Sequence, residues 1–125
     1  MKDRNICKFA ALTQSHSLEI RCFVLETDQA VMAQCVQLKC SRAYLCTQGE
    51  GELHADSVVI AFRPGMLIFG FEHEWVSIVP QGHCEYMYID FSGLRAQELL
   101  LRFGIGIRSR AFAGMDGMIP LWSES

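Results

Sequence analysis

The chain has 125 residues, half of them hydrophobic and a fifth charged, with a formal charge of −3, a sequence pI near 5.7 and a mean hydropathy of +0.17. That length supports one domain with a real core, and the composition excludes a disordered or fibrous chain. No basic block offers counterion release to a phosphate backbone, no apolar run reaches the roughly 20 residues of a membrane span, and Met1-Lys2-Asp3-Arg4-Asn5 lacks a signal peptide's apolar stretch. A cytoplasmic protein is expected, one that touches neither membrane nor DNA by itself.

In chain order, residues 18–25 form a mixed apolar run that Thr27-Asp28 ends, and 31–38 and 43–47 are the next runs. Gly49-Glu50-Gly51 reads as a hairpin turn; it lacks the third glycine and the Lys-Ser/Thr of a phosphate loop. Residues 52–54 start a strand that Ala55-Asp56-Ser57 folds back into 58–62, and Arg63-Pro64-Gly65 is a strong turn because Pro fixes φ and Gly tolerates φ > 0. Residues 66–71 and 75–79 flank Glu72-His73-Glu74, Pro80-Gln81-Gly82 reads as another turn, and 84–91 is the last clear strand. About eight short strands at regular spacing predict an all-β sandwich or barrel. Val58-Val59-Ile60-Ala61-Phe62 and Met66-Leu67-Ile68-Phe69 are apolar on both faces, which predicts an interior on one side and a second sheet or a partner on the other.

After Phe91 the pattern changes. Ser92 is an expected cap for a helix over 94–103, Gly104 stands where a C-cap glycine belongs, 110–113 suggests a short strand, and Asp116 is placed to cap a last helix. That last helix would stop at Trp122-Ser123-Glu124-Ser125, as though the sequence had been trimmed.

Chemistry-bearing residues are sparse. Six cysteines at 7, 22, 35, 40, 46 and 84 include no Cys-x-x-Cys, so they read as reduced, small buried hydrophobes. Histidines at 16, 54, 73 and 83 form no His-x-His pair, and His73-Glu74 with His83 is the nearest approach to a metal set, so no metal or other cofactor is expected. No Gly-x-Ser-x-Gly elbow appears, and Ser15-His16-Ser17 and Cys84-Glu85 are neighbours in sequence only, so no catalytic residue is expected. The informative segment is Glu85-Tyr86-Met87-Tyr88-Ile89-Asp90-Phe91. A strand alternates its side chains, so Tyr86, Tyr88 and Asp90 share one face and Met87, Ile89 and Phe91 the other. The polar-tipped face looks either at water or into an interior, where rings stack on a ligand and polar tips bond its edge. Trp75 is a second stacking candidate.

Four motifs in order resemble the effector-binding and dimerisation domain of AraC-type transcription regulators: Tyr44-Leu45-Cys46-Thr47-Gln48-Gly49-Glu50-Gly51, Arg63-Pro64-Gly65, Tyr86-Met87-Tyr88-Ile89-Asp90-Phe91-Ser92-Gly93, and the helix over 96–104. The resemblance spans about residues 40–104, with departures at Met66, where an Asp usually follows the glycine, and at Gly70-Phe71-Glu72-His73-Glu74, which replaces a Pro-x-x-x-His stretch. It implies a cupin-like (jelly-roll) β-barrel over 1–93, followed over 94–125 by one or two C-terminal helices. It further implies a small-molecule effector, often a sugar, with Tyr86 and Tyr88 as contacts, and a DNA-reading helix-turn-helix half absent from this sequence; strand alternation adds Asp90 as an expected polar contact, and Trp75 stays the stacking candidate named above. Leu94, Leu100, Leu101 and Phe103, with Leu99, exceed one packing face, so the helix is expected to border a homodimer contact. The alternatives are a cupin-fold enzyme of the isomerase or dioxygenase kind and a freestanding small-molecule-binding domain.

Overall fold

The computed structural model describes residues 19–123 as a mostly antiparallel β structure with three helices. The elements are β1 (Glu19–Glu26), α1 (Gln29–Met32), β2 (Val36–Gln37), β3 (Ser41–Ala55), β4 (Val58–Phe62), β5 (Leu67–Gly70), β6 (Trp75–Ser92), α2 (Leu94–Arg102), β7 (Ala111–Phe112) and α3 (Met118–Ser123). No helix among the described residues is long and apolar enough to cross a membrane.

Two long strands organise everything. β3 and β6 pair along nearly their whole length, from Ser41↔Phe91 to Ala55↔Val76. One half of this ladder carries β1 on β6, and β5 then β7 beyond β3; the other carries β2 on β6 and β4 on β3. The halves share an interior, because Tyr44 and Cys46 from one end of β3 cluster with Leu53 and Ala55 from the other, and Val76 and Ile78 of β6 with Cys84 and Tyr86. The sheet does not close into a barrel: among the described residues β7 pairs only with β5, and β4 only with β3.

The fold-over corrects two expected turns. Neither Gly49-Glu50-Gly51 nor Pro80-Gln81-Gly82 ends a strand; both lie inside the long ladder. Between Gln48↔Glu85 and Glu50↔Gln81 one residue of β3 faces three of β6, and this bulge bends the pair together. Gly49 has φ +78, and a Cβ there would stand 1.9 Å from the His83 carbonyl oxygen, so only glycine fits the corner. The predicted run over 31–38 is also corrected. Asp28 caps α1 by accepting hydrogen bonds from the Ala30 and Val31 amides, and only Val36–Gln37 remains extended.

The other face of the β1–β6–β3–β5–β7 half explains why Met66-Leu67-Ile68-Phe69 is apolar on both sides, whereas Val58 and Val59 of β4 stay exposed. Ala43, Leu45, Leu67, Phe69, Met87, Ile89 and Phe91 are buried there against Ala96, Leu99 and Leu100 of α2 and Met118 and Trp122 of α3. The chain's own C-terminal segment is the cover, and residues 94–123 join the core of the sheet through this packing and through β7. α2 starts at Gly93 without a side-chain cap, so Ser92 does not cap it. It ends as expected: Gly104 has φ +71, its amide donates to Leu101 O, and the Ile105 amide donates to Leu100 O. A buried ion pair locks this segment to the sheet. Arg110, 4% exposed, donates from Nη1 and Nη2 to the Glu74 carboxylate at 3.0 and 2.7 Å and lies over the Phe71 ring.

Candidate functional site

The interior ladder near the open end of the fold builds a polar-tipped aromatic face. On β3 the alternation points Arg42, Tyr44 and Cys46 inward while Ala43 and Leu45 face the helices; on β6 it points Tyr86, Tyr88 and Asp90 inward while Met87, Ile89 and Phe91 face the helices. Register stacks them as three cross-strand pairs: Arg42↔Asp90, Tyr44↔Tyr88 and Cys46↔Tyr86. Such directly opposed side chains sit close enough for contact.

The three tyrosine rings form a triangle. Tyr44 meets Tyr86 edge-on at 5.5 Å between centroids and Tyr88 at 5.9 Å, and Tyr86 and Tyr88 are 6.3 Å apart. At its mouth Arg42 Nε donates to Asp90 Oδ1 at 2.6 Å and Nη2 to Oδ2 at 3.0 Å. This bidentate fork holds the guanidinium 4.0 Å above the Tyr88 ring centroid, a cation–π geometry.

These residues line a cavity of about 300 Å³. Its opposite wall comes from Val76 and Ile78 of β6, and its outer wall from α1 and the segment after it, which contribute Met32, Leu38 and Lys39. Glu26 closes one side. Two cations, Arg42 and Lys39, and two carboxylates, Glu26 and Asp90, balance to zero formal charge around an aromatic floor.

The environment fixes protonation. Burial pushes the Tyr44 hydroxyl up to about 12, against the lowering effect of the adjacent Arg42 guanidinium. Burial, reinforced by Tyr44 and Glu26, raises Tyr86 further. Burial disfavours the charged form of Arg42, yet the hydrogen bonds to Asp90 and the neighbouring charges outweigh it and hold its pKa above the ordinary value. The floor therefore offers neutral hydroxyls and a permanent cation to a ligand at neutral pH.

The structure brings Tyr86, Tyr88 and Asp90 together on one cavity wall. Trp75 is a correction: inward-facing Val76 and Ile78 leave it on the opposite face of β6, 51% exposed and outside the cavity lining. Leu100 and Phe103 are corrected as well, since Leu100 is buried in the chain's own core and Phe103 packs against it. Leu101 is 81% exposed, and the side chain of Leu94 lies outside the described residues. Arg42 and Tyr44 went unrecognised in the sequence, although the same period-two reading applied to 42–46 would have paired them with Cys46. His16, Cys7 and the side chain of Cys22 also lie outside the described residues; among those described, no three His, Cys, Asp or Glu side chains gather in a metal-holding group.

No protein-family model matches the chain, and no curated protein matches it.

Proposed function

We propose that the chain is the small-molecule-sensing and dimerisation domain of an AraC-type transcription regulator, a cytoplasmic cupin-like jelly roll that acts with a DNA-reading half not included in this sequence. One observation carries the reading: a cavity of about 300 Å³ whose floor is three tyrosines and whose mouth holds the Arg42–Asp90 fork. That volume falls at the small end of ligand sites. Tyrosine faces take the C–H face of a compact ligand, while their hydroxyls and the fork bond its hydroxyls. A sugar or a similar neutral polyol suits both features, and the balanced charge of the lining favours an uncharged molecule over an ion.

A thermal-shift screen of neutral sugars, polyols, sugar acids and aromatic carboxylates tests the reading. A ligand that binds only the folded chain at 100 times its dissociation constant adds about 2.7 kcal/mol of stability. The reading expects a shift from at least one neutral polyhydroxylated compound, without chemical conversion of it. A panel with no shift at millimolar concentrations, or turnover of the bound compound, contradicts it.

A further inference from the structure

We propose that β4 is the seam of a homodimer, in which two copies of the strand pair antiparallel about a two-fold axis through Ile60. This deepens the dimer element of the functional reading and relocates it from α2, whose Leu99 and Leu100 seal the chain's own core.

Val58–Phe62 is five residues of uncharged, β-branched and aromatic character, and among the described residues its ladder is used on the β3 side alone. Proteins usually blunt such an edge with Lys, Pro or a covering loop. Here Val59 is 54% exposed, Val58 and Ala61 are exposed too, and a groove of about 450 Å³ runs between Val58 and Ile60 of the strand and the chain's own 107–113 segment, which brings Arg108 and Arg110 to it.

The strand is also self-complementary. With Ile60 opposite its own copy, Val58 faces Phe62 and Val59 faces Ala61 of the partner, which keeps groove-side residues together and outer-face residues together, as a two-fold axis normal to the sheet requires. The flanks then complement each other in charge. Exposed Asp56 and Arg63 bracket the strand, and this register sets Ser57 opposite the partner copy's Arg63, one position from Asp56. No like charges meet along the paired segment 56–64.

Sedimentation equilibrium of the whole chain tests the seam with two single variants at exposed positions. Val59→Lys places two lysines in the joined sheet and is expected to weaken dimerisation about tenfold or more, equivalent to about 1.4 kcal/mol. Leu101→Glu is expected to leave it unchanged. Circular dichroism verifies that each variant keeps its fold. Ile60→Cys, mildly oxidised, is expected to give a disulfide-linked dimer through the two introduced thiols. A wild-type monomer at high micromolar concentration overturns the seam; so does dissociation by Leu101→Glu but not Val59→Lys, or linkage of the introduced thiol to a cysteine of its own chain instead. Val59 does not line the cavity, so the ligand screen run on Val59→Lys separates failure of this seam from failure of the sensor reading.

Discussion

Replacing Arg110 with Met is expected to destabilise the fold more than any single change at the cavity. The guanidinium is 4% exposed and makes four hydrogen bonds: two to Glu74, one to Ile107 O at 3.3 Å and one to Phe69 O at 3.4 Å. Met keeps most of the side chain's length but leaves the Glu74 carboxylate, 9% exposed, with the Phe71 amide as its remaining donor among those described, at 2.8 Å. Stranding a buried charge in this way costs about 3–5 kcal/mol. For a chain of this size that lowers Tm by roughly 10–20 °C. Urea denaturation of Arg110→Met, Glu74→Gln and the double variant closes the cycle. Glu74→Gln keeps an acceptor for Phe71 N–H while removing the charge, so the double variant should be more stable than Arg110→Met alone. A cost for Arg110→Met below about 1 kcal/mol, or strict additivity in the cycle, refutes the argument that the pair pins the C-terminal segment to the sheet.

The corner predicts a contrast between two glycines of similar φ: Gly82→Ala, with open space for its Cβ, should cost about 1–2 kcal/mol in urea melts, and Gly49→Ala clearly more because of the His83 carbonyl. Tyr44 is raised from 10.0 to about 12 in the folded chain, so its neutral form is the one the fold favours. That contribution is intact below pH 10 and is lost as pH rises through about 12, up to roughly 2–3 kcal/mol, visible as tyrosine ionisation coinciding with unfolding at alkaline pH. Ionisation of Tyr44 with the fold fully retained at pH 11 would contradict it. Thiol titration at pH 8 should find Cys35 reactive and Cys46 and Cys84 silent until denaturant is added, since burial pushes Cys46 up to about 12 and raises Cys84.

What the sequence disclosed was local in origin. Period two set Tyr86, Tyr88 and Asp90 on one face, and the αL glycine at 104 marked the end of α2, because strand alternation and helix termination are decided within a few residues. What it concealed was pairing. Arg42 becomes a site residue only through its register with Asp90, 48 positions away, and Tyr44 only through Tyr88 and Tyr86. Gly49 and Gly82 carry turn chemistry yet bend a continuous ladder, since a positive φ serves a bulge as well as a hairpin. Trp75 looked like a stacking residue by type; its parity with Val76 and Ile78 sends it outward. Leu99 and Leu100 of α2 looked surplus because the sheet face awaiting them lies in strands far away in sequence, whereas Leu101 does stay exposed.

The central claim is that the tyrosine face is where a ligand lies, and one titration tests it most directly. Isothermal titration of the compound giving the largest thermal shift should be run on the wild type, Tyr88→Ala and Trp75→Ala. Tyr88 is half-buried with its ring on the cavity, so its loss should weaken binding by about 1–3 kcal/mol, roughly five- to 150-fold. Trp75→Ala, on the opposite face of β6, should bind as the wild type does. Unchanged affinity in Tyr88→Ala, or a loss confined to Trp75→Ala, would contradict the account.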